Sequence, residues 1–570
     1  MKFFPALVML CLAAAPACGH SEALVRGKAA LGVPQVATQL RAPSLGAAGV
    51  TTVRLGGVAK SLAAARSADD KRVRVGIARD VALETDGAKA STSLAWIAQP
   101  SGAHVTRLSL VSPQAASLRL ALRARGLPAD AELRVVSPLH PERVLGPVGA
   151  QAIDAAMLAA GAYWSPLTEG DEQQVEIWIP ATADPRAVHV EIVSASHITV
   201  SPSSLMKSTG AGASQSCEQD VVCVARDNAA LDRAARSVAK LLYTENGVSY
   251  LCSGTLVSDG DASSQVPYLY TAAHCIGSQA AAATLNTFWF FDAASCGGKS
   301  ADYRQLSGGA SLLYANAASD AALVRLNDPA PQGAWFSGWS REPLGAGSAL
   351  VALHHPAGDV KKLSLGQSVG ITPAPGTAGF NTAAWTSGST EGGSSGSGLF
   401  TLEGGEYVLR GGLRGGGASC TSSGHLDDPS NRDYYSRMDQ EAAQLGKWLS
   451  TAATPLANYG GVWYEPAAPG WGLTIVQNAE NHVFATWYGY DPAGRPLWLV
   501  MPQATWSGPS TMQGTLYRAS GTPYNRSFDA PLAVTPIGSM RVDFAADGTA
   551  RLDATIDGTS FVRTIERQAY

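Results

Sequence analysis

Between about residues 24 and 207, apolar side chains recur at every second position in short runs. Leu118, Leu120 and Leu122 alternate with Arg119, Ala121 and Arg123, and the pattern repeats at Val175, Ile177, Ile179 and at Val188, Val190, Ile192. Successive side chains on a strand point to opposite faces, so these runs predict half-buried strands. They make 24–207 a β-rich region of its own, without any constellation of catalytic groups. The small, polar stretch from Ser201 to Ser214 reads as a linker. A helical spacing follows at Met438, Ala442, Leu445 and Leu449, predicting one short amphipathic helix. After a second linker at 451–459, aromatic-rich strands are predicted over Trp471–Val476, Val483–Tyr490 and Leu497–Met501. Turns at Asp491-Pro-Ala-Gly494, Asp547-Gly548 and Asp557-Gly558 separate further strands, so 460–570 reads as a small antiparallel sandwich or barrel. The chain is predicted to be all-β.

A length of 570 residues exceeds what one core supports. Charged residues make up 15% and hydrophobic ones 46%, with 60 Gly, a globular and loop-rich composition. The net charge of -4 gives no electrostatic reason to expect nucleic acid or an anionic membrane as a partner. Lys2, the apolar run Phe3 to Ala15 and the small-x-small sequence Ala15-Pro16-Ala17 read as a signal peptide over 1–23, so secretion to the outside of the cell is expected. A lipid anchor on Cys18 is the alternative, weakened by Ala15 three places before it. The apolar run is too short to span a bilayer, and no later segment is long enough. Cys11 and Cys18 lie in or beside the signal. The other six cysteines, Cys217, Cys223, Cys252, Cys275, Cys296 and Cys420, are an even set in one exported region and read as three disulfides. No Cys-x-x-Cys pair occurs, so neither a metal nor another cofactor is expected.

Acyl transfer by serine needs a base, a carboxylate to orient it and donors for the oxyanion. His274 stands in Thr271-Ala-Ala-His-Cys275, where the adjoining cysteine can pin the histidine loop. A lone histidine is more often structural, but this pentapeptide is a specific signature. Asp320 precedes the apolar run Ala321 to Leu326; it could be a turn residue, yet it stands where the orienting acid belongs. Ser395 lies in Gly392-Gly-Ser-Ser-Gly-Ser-Gly398. Such tracts are usually linkers, but ordered strand residues follow at Leu399-Phe400-Thr401. Ser394 and Ser397 compete for the role, and only Ser395 fits Gly-x-Ser-Gly. The backbone N–H groups of Gly393 and Ser395 would then form the oxyanion hole.

The order His, Asp, Ser is that of the chymotrypsin superfamily. More narrowly, residues 208–450 resemble the bacterial lysyl endopeptidases. The likeness includes the triad motifs, Cys217 and Cys223 near the start, Val351-Ala-Leu-His-His-Pro356, Trp339 after a Ser-Gly pair, and the Gly-Gly run before Cys420. It implies two six-stranded β-barrels with the active site between them, and disulfides Cys217–Cys420, Cys223–Cys296 and Cys252–Cys275. It also implies that 24–207 is a propeptide. No chemistry is assigned to His354 or His355.

A lysine-specific peptidase of this kind holds a buried acid at the base of its S1 pocket. In Asn431-Arg-Asp-Tyr-Tyr-Ser-Arg437, Asp433 aligns with that acid if one residue is deleted; Asp427 and Asp428 are alternatives, and all three could be exposed loop acids. Arg414 stands where the family has a histidine stacked on a tryptophan, and Thr372 to Gly376 offers no tryptophan. A guanidinium there could pair with Asp433 and blur the choice of lysine over arginine. Lysine itself is sparse, with none after Lys447, which would limit self-digestion but equally fits a biased genome. Lys207 alone breaks the gap between Lys89 and Lys240, so maturation is expected after Lys207. The expected activity is that of a monomeric serine endopeptidase that cuts proteins or peptides after lysine, with an arginine-preferring or otherwise different choice of that residue as the alternative. A catalytically inactive binding protein on the same scaffold is the rival class, and an intact triad argues against it. Trp463, Trp471, Trp487, Trp498 and Trp506 would normally be core, with a ligand-stacking platform as the alternative.

Overall fold

The computed structural model describes residues 24–32, 38–58, 72–81, 94–201, 214–261, 263–298, 303–449, 455, 457–478, 481, 483–508, 510–523, 525–527, 533–545 and 547–568. The signal segment, Lys207 and most of both linkers lie outside the described residues.

The N-terminal region is a sandwich. One sheet is built from Val50–Arg54, His104–Val111, Glu172–Ile179, Glu132–Ser137 and His140–Gly149. The facing strands are Ser117–Arg125, His189–Ile198 and β1 (Val73–Asp80). Leu108, Leu110, Val175 and Ile177 from the first meet Leu118, Leu120, Leu122, Val190 and Ile192 from the second in one buried core. The prediction of half-buried strands fails at Ser117–Arg125, where Arg119 is also fully buried. Its Nε donates to Ser165 O at 3.3 Å, and Nη2 donates to Thr284 O of the following unit. The polar face of this strand is an internal interface at Arg119 and Ala121 and returns to solvent at Arg123, a division that a single-strand pattern cannot register.

Two six-stranded units follow. The first contains β2 (Val238–Glu245), β3 (Val248–Val257), β4 (Tyr268–Thr271), β5 (Asn286–Trp289), β6 (Ala310–Asn316) and β7 (Ala321–Leu326). They pair in the order β5-β2-β3-β4-β7-β6, a strongly curved half-barrel. The second contains β8 (Ala349–His354), β9 (Lys362–Thr372), β10 (Phe380–Ser387), β11 (Gly398–Glu403), β12 (Glu406–Gly416) and β13 (Asp433–Tyr435). Its ladder β8-β9-β10-β13-β12-β11 returns to β8 and closes. This is the chymotrypsin-like double-barrel arrangement. Tyr268, Tyr270 and Leu323 of the first unit share a core with Leu353, Phe400 and Leu409 of the second. The helix Met438–Leu449 closes that core with Met438, Ala442, Leu445 and Leu449; burying a large apolar side chain stabilises by roughly 1.5–3 kcal/mol.

The first unit is not separate from what precedes it. β1 pairs antiparallel with β3, so the N-terminal sheet runs on into the half-barrel. Further upstream, Leu24–Val25 pairs with Trp339–Ser340, and Lys28–Ala29 with Trp335–Phe336. Lys28 Nζ donates to Asp259 Oδ1 at 2.5 Å. The C-terminal strands, from Gly461–Tyr464 to Thr559–Arg567, form a closed barrel with each strand beside its sequence neighbour. Trp463 and Trp487 are core residues, Trp471 stacks on Trp487 at 4.8 Å, and Trp498 is 71% exposed.

Candidate active site

Asp320 lies at the turn into β7 with φ 56°, in the left-handed region. A non-glycine residue held there costs on the order of 1–3 kcal/mol, and neighbouring contacts must offset it. Those contacts grip the histidine loop. Oδ1 accepts the His274 N–H at 2.8 Å, Oδ2 faces His274 Nδ1 at 2.7 Å, and the Asp320 carbonyl accepts the Ala273 N–H at 3.2 Å. With Nδ1 hydrogen-bonded to a carboxylate, Nε2 is the nitrogen left to act as a base. Nε2 is buried and has no hydrogen-bond partner among the described residues. A disulfide from Cys275 to Cys252 ties the same loop to β3, with a Cα–Cα distance of 6.4 Å.

The glycine-serine tract is a packed turn, not a linker. Gly393 has φ +90°, and a Cβ there would sit 3.0–3.2 Å from His355 O, Gly358 N and Ala357 N. Gly396 has φ +79°, and its Cβ would meet Thr271 Oγ1 at 2.2 Å. β3 holds the turn from one side: Ser253 N–H donates to Ser395 O at 2.8 Å, and its hydroxyl donates to Gly393 O at 3.0 Å. Within the turn, the N–H groups of Ser394, Gly396 and Ser397 donate to Glu391 O, Leu413 O and Ser394 O. Among the described residues, the N–H groups of Gly393 and Ser395 have no such acceptor. They are therefore free to receive an oxyanion.

The competing serines differ in access. Ser394 Oγ lies 2.7 Å from His354 Nδ1, a distance suited to a nucleophile and its base. Both residues are completely buried, however, and burial aided by Lys362 lowers the His354 pKa to about 3, so the imidazole stays neutral. Ser397 is also fully buried, whereas Ser395 retains 3% exposure.

Of the three candidate specificity acids, only Asp433 is inside the protein, 1% exposed on β13. Its Oδ2 accepts from Trp385 Nε1 at 2.6 Å and from Thr390 Oγ1 at 2.8 Å. Asp428 instead caps a turn, accepting from Ser430 N and Oγ at 2.8 Å each, and Asp427 is exposed. Arg414 is exposed too, with its guanidinium 4.6 Å above the Phe380 ring rather than on Asp433. The tryptophan beside the acid comes from Trp385, well away from Thr372–Gly376. Its sequence surroundings, Ala383-Ala-Trp-Thr, carry no signal beyond a buried strand. Glu218 and Glu391 were also silent in the sequence. Burial, reinforced by the negative charge of nearby Glu391, lifts the Glu218 pKa to about 9, so this carboxyl is neutral at neutral pH; its Oε2 lies 3.6 Å from His354 Nε2. The remaining disulfides join Cys217 to Cys420 and Cys223 to Cys296, with Cα–Cα distances of 5.4 and 4.9 Å.

Residues 211–436 match the family described as lysyl endopeptidase, C-terminal domain, and residues 46–199 match the lysyl endopeptidase N-terminal domain. The chain is similar to a lysyl endopeptidase of Pseudomonas aeruginosa, 36% identical over 376 residues that span 63% of this chain and 78% of the relative. Solved structures with partial likeness include the active form of a protease from M. tuberculosis, with TM-score 0.27 and 19% identity over 40% of this chain and 88% of that one. Another is the thermostable serine protease AL20 from an extremophilic microorganism, with TM-score 0.28 and 17% identity over 38% of this chain and 98% of that one.

Proposed function

The chain belongs to the lysyl endopeptidase family and is a serine endopeptidase; from that premise we propose that it is secreted and cleaves polypeptides after lysine through an acyl-enzyme. His274 Nε2 takes the proton of Ser395 Oγ as the hydroxyl attacks the scissile carbonyl. Asp320 keeps the imidazole in the required tautomer and stabilises the imidazolium. The N–H groups of Gly393 and Ser395 receive the oxyanion, each such donor being worth about 100- to 1000-fold in rate. Nε2 then protonates the leaving amine, and water repeats the sequence to release the acyl group. Export accords with the three disulfides. Among the described residues no helix is long and apolar enough to cross a membrane.

The observation that carries the lysine preference is the burial of Asp433 beneath Trp385 and Thr390. A cationic side chain that reaches this acid exchanges water for a desolvated ion pair, whereas a neutral one leaves the pocket acid unmatched. Maturation after Lys207, by the enzyme itself, completes the reading. Cleavage profiling on a peptide library tests it: cuts should follow lysine. A profile indifferent to basic residues would overturn the assignment of Asp433, and cuts mainly after arginine would shift the preference within the same pocket. Sequencing the N-terminus of active enzyme should give Ser208; a start elsewhere that survives Lys207→Gln would remove self-processing at lysine.

A further inference from the structure

Strand β12 ends its pairing with β11 at Gly412, opposite Gly398. The next residue, Leu413, is tied to the nucleophile turn: its carbonyl accepts the Gly396 N–H at 2.8 Å, and its N–H donates to Ser397 O at 2.9 Å. Further along, Gly416 faces Asp433 so closely that a Cβ there would collide with Oδ1. Arg414 thus stands on the short stretch of backbone that joins the nucleophile to the proposed specificity acid.

Its placement is set by an irregularity. Leu413 lies opposite Tyr435 and Gly415 opposite Tyr434, so two steps along β12 match one along β13, and Arg414 is the extra residue of a β-bulge. A bulge re-aims the side chain that it carries. Leu413 enters the barrel core with Trp385 and Tyr435. Arg414 is exposed, with its guanidinium 4.6 Å above the ring of the buried Phe380. The other arginines of this barrel are already engaged. Arg410 pairs with Glu403, Arg437 pairs with Asp439, and Arg432 donates to the carbonyls of Asp428 and Asn431. Arg414 is partnered by a ring instead, which steadies the guanidinium without neutralising it.

A polypeptide whose lysine reaches Asp433 while its carbonyl meets Ser395 must cross this stretch. In an extended chain successive side chains turn to opposite faces. The lysine dips into the barrel, so the residue before it turns outward, to the side on which Arg414 is exposed. We propose that Arg414 is a specificity-determining residue for the position directly before the lysine, where it favours glutamate or aspartate. The planar guanidinium presents parallel N–H groups that match the two oxygens of a carboxylate. A basic residue at the same position meets like charge. The bonds cut fastest then follow an acidic residue and a lysine in succession, a narrower class than lysine alone.

The proposal rests on the reading of Ser395 and Asp433 given above, and the test keeps the two apart. Processed enzyme made from the full chain is assayed on p-nitroanilides that end in Glu-Lys, Gln-Lys or Lys-Lys, and on one that ends in Gln-norleucine. The contrast between Gln-Lys and Gln-norleucine reports on Asp433; the contrast among the three lysyl substrates reports on Arg414. At low ionic strength kcat/KM for Glu-Lys is expected to exceed that for Gln-Lys by about fivefold, the upper scale of an exposed ion pair. The ratio should shrink towards one in 1 M salt, where the Debye length is about 3 Å. Arg414→Gln should bring it to one at low salt, and Arg414→Glu should make Lys-Lys a better substrate than Glu-Lys. The salt series needs no substitution, so a variant that fails to fold does not hide the outcome. Equal rates on Glu-Lys and Gln-Lys at low salt, a ratio indifferent to salt, or a preference that survives both substitutions would overturn the proposal.

Discussion

The two β-rich regions that flank the catalytic unit are attached to it in opposite ways. The N-terminal region contributes a strand to the catalytic sheet, and Val75, Leu167 and Ile198 enter a core with Leu242, Leu251 and Phe288. It also buries Arg119 and Lys240 at the junction. The C-terminal barrel closes on itself, and its core is drawn entirely from residues after 458. Closure removes the unpaired edges through which β-structure normally associates. The first region is therefore built to dock, and the second to stand alone. The difference identifies which flank can govern activity.

The largest expected effect removes the proposed nucleophile. Ser395→Ala should lower kcat by about 10⁵-fold or more and leave the chain uncut, whereas Ser394→Ala should retain measurable turnover. Active-site titration and the mass of the secreted product check both. Equal loss in the Ser394→Ala chain would move the nucleophile to the buried pair with His354. Next in size, Asp433→Asn should lower kcat/KM for lysyl substrates by about 100-fold, the desolvated ion pair being lost, while Asp428→Asn leaves it unchanged. The reverse ranking would put the specificity acid in the loop.

The junction itself makes a third, smaller prediction. Lys240 is fully buried, with Nζ 3.4 Å from the centre of the Phe291 ring and donating to Gly358 O at 3.3 Å. Val75, Leu167, Ile198 and Val200 of the N-terminal region line the same small cavity. Burial lowers its pKa to about 7, opposed by Asp359 and, from the N-terminal side, Glu169; the neighbouring His355 is kept neutral by its own burial and by Lys361. Because the docked state disfavours the ammonium, its stability is greatest above the ordinary lysine pKa and declines as the pH falls towards 7. The slope is at most about 1.4 kcal/mol per pH unit. In the uncut Ser395→Ala chain, Lys240→Met should flatten the rise of the unfolding midpoint between pH 7 and 10. Parallel curves for the two chains would show that the lysine is not desolvated by docking.

How much of this could be read beforehand follows from which contacts are local. The motif around His274, the Gly-x-Ser-Gly tract at Ser395 and the helix Met438–Leu449 carry their signals in consecutive or helically spaced residues and are legible in the sequence, although the groups that hold the first two, Asp320 and Ser253, lie 46 and 140 residues from their partners. Asp433 was reachable only through an alignment gap, and its partners Trp385 and Thr390 not at all, because they lie 48 and 43 residues away. The apparent exposure of Arg119 misled for the same reason. Its acceptor, Thr284 O, is 165 residues distant, and periodicity cannot distinguish a face covered by water from one covered by another unit.

The smallest expected effect tests the other flank. Removing the chain after Leu456 should leave kcat/KM for a lysyl p-nitroanilide within about twofold of the full-length value, a change of less than 0.5 kcal/mol at the transition state. The triad, Asp433, the three disulfides and the closing helix all precede the cut, and the helix packs with Met438, Ala442, Leu445 and Leu449 against the double-barrel core. The C-terminal barrel, for its part, buries Leu473, Leu499, Met512, Leu516 and Leu552 without outside help. Both fragments should therefore unfold at the temperatures they show within the full chain, as two calorimetric transitions that do not move when the linker is cut. A truncated enzyme that folds but loses the nitroanilide activity, or a shared transition that splits on truncation, would show that the barrel docks after all and would make the two flanks alike.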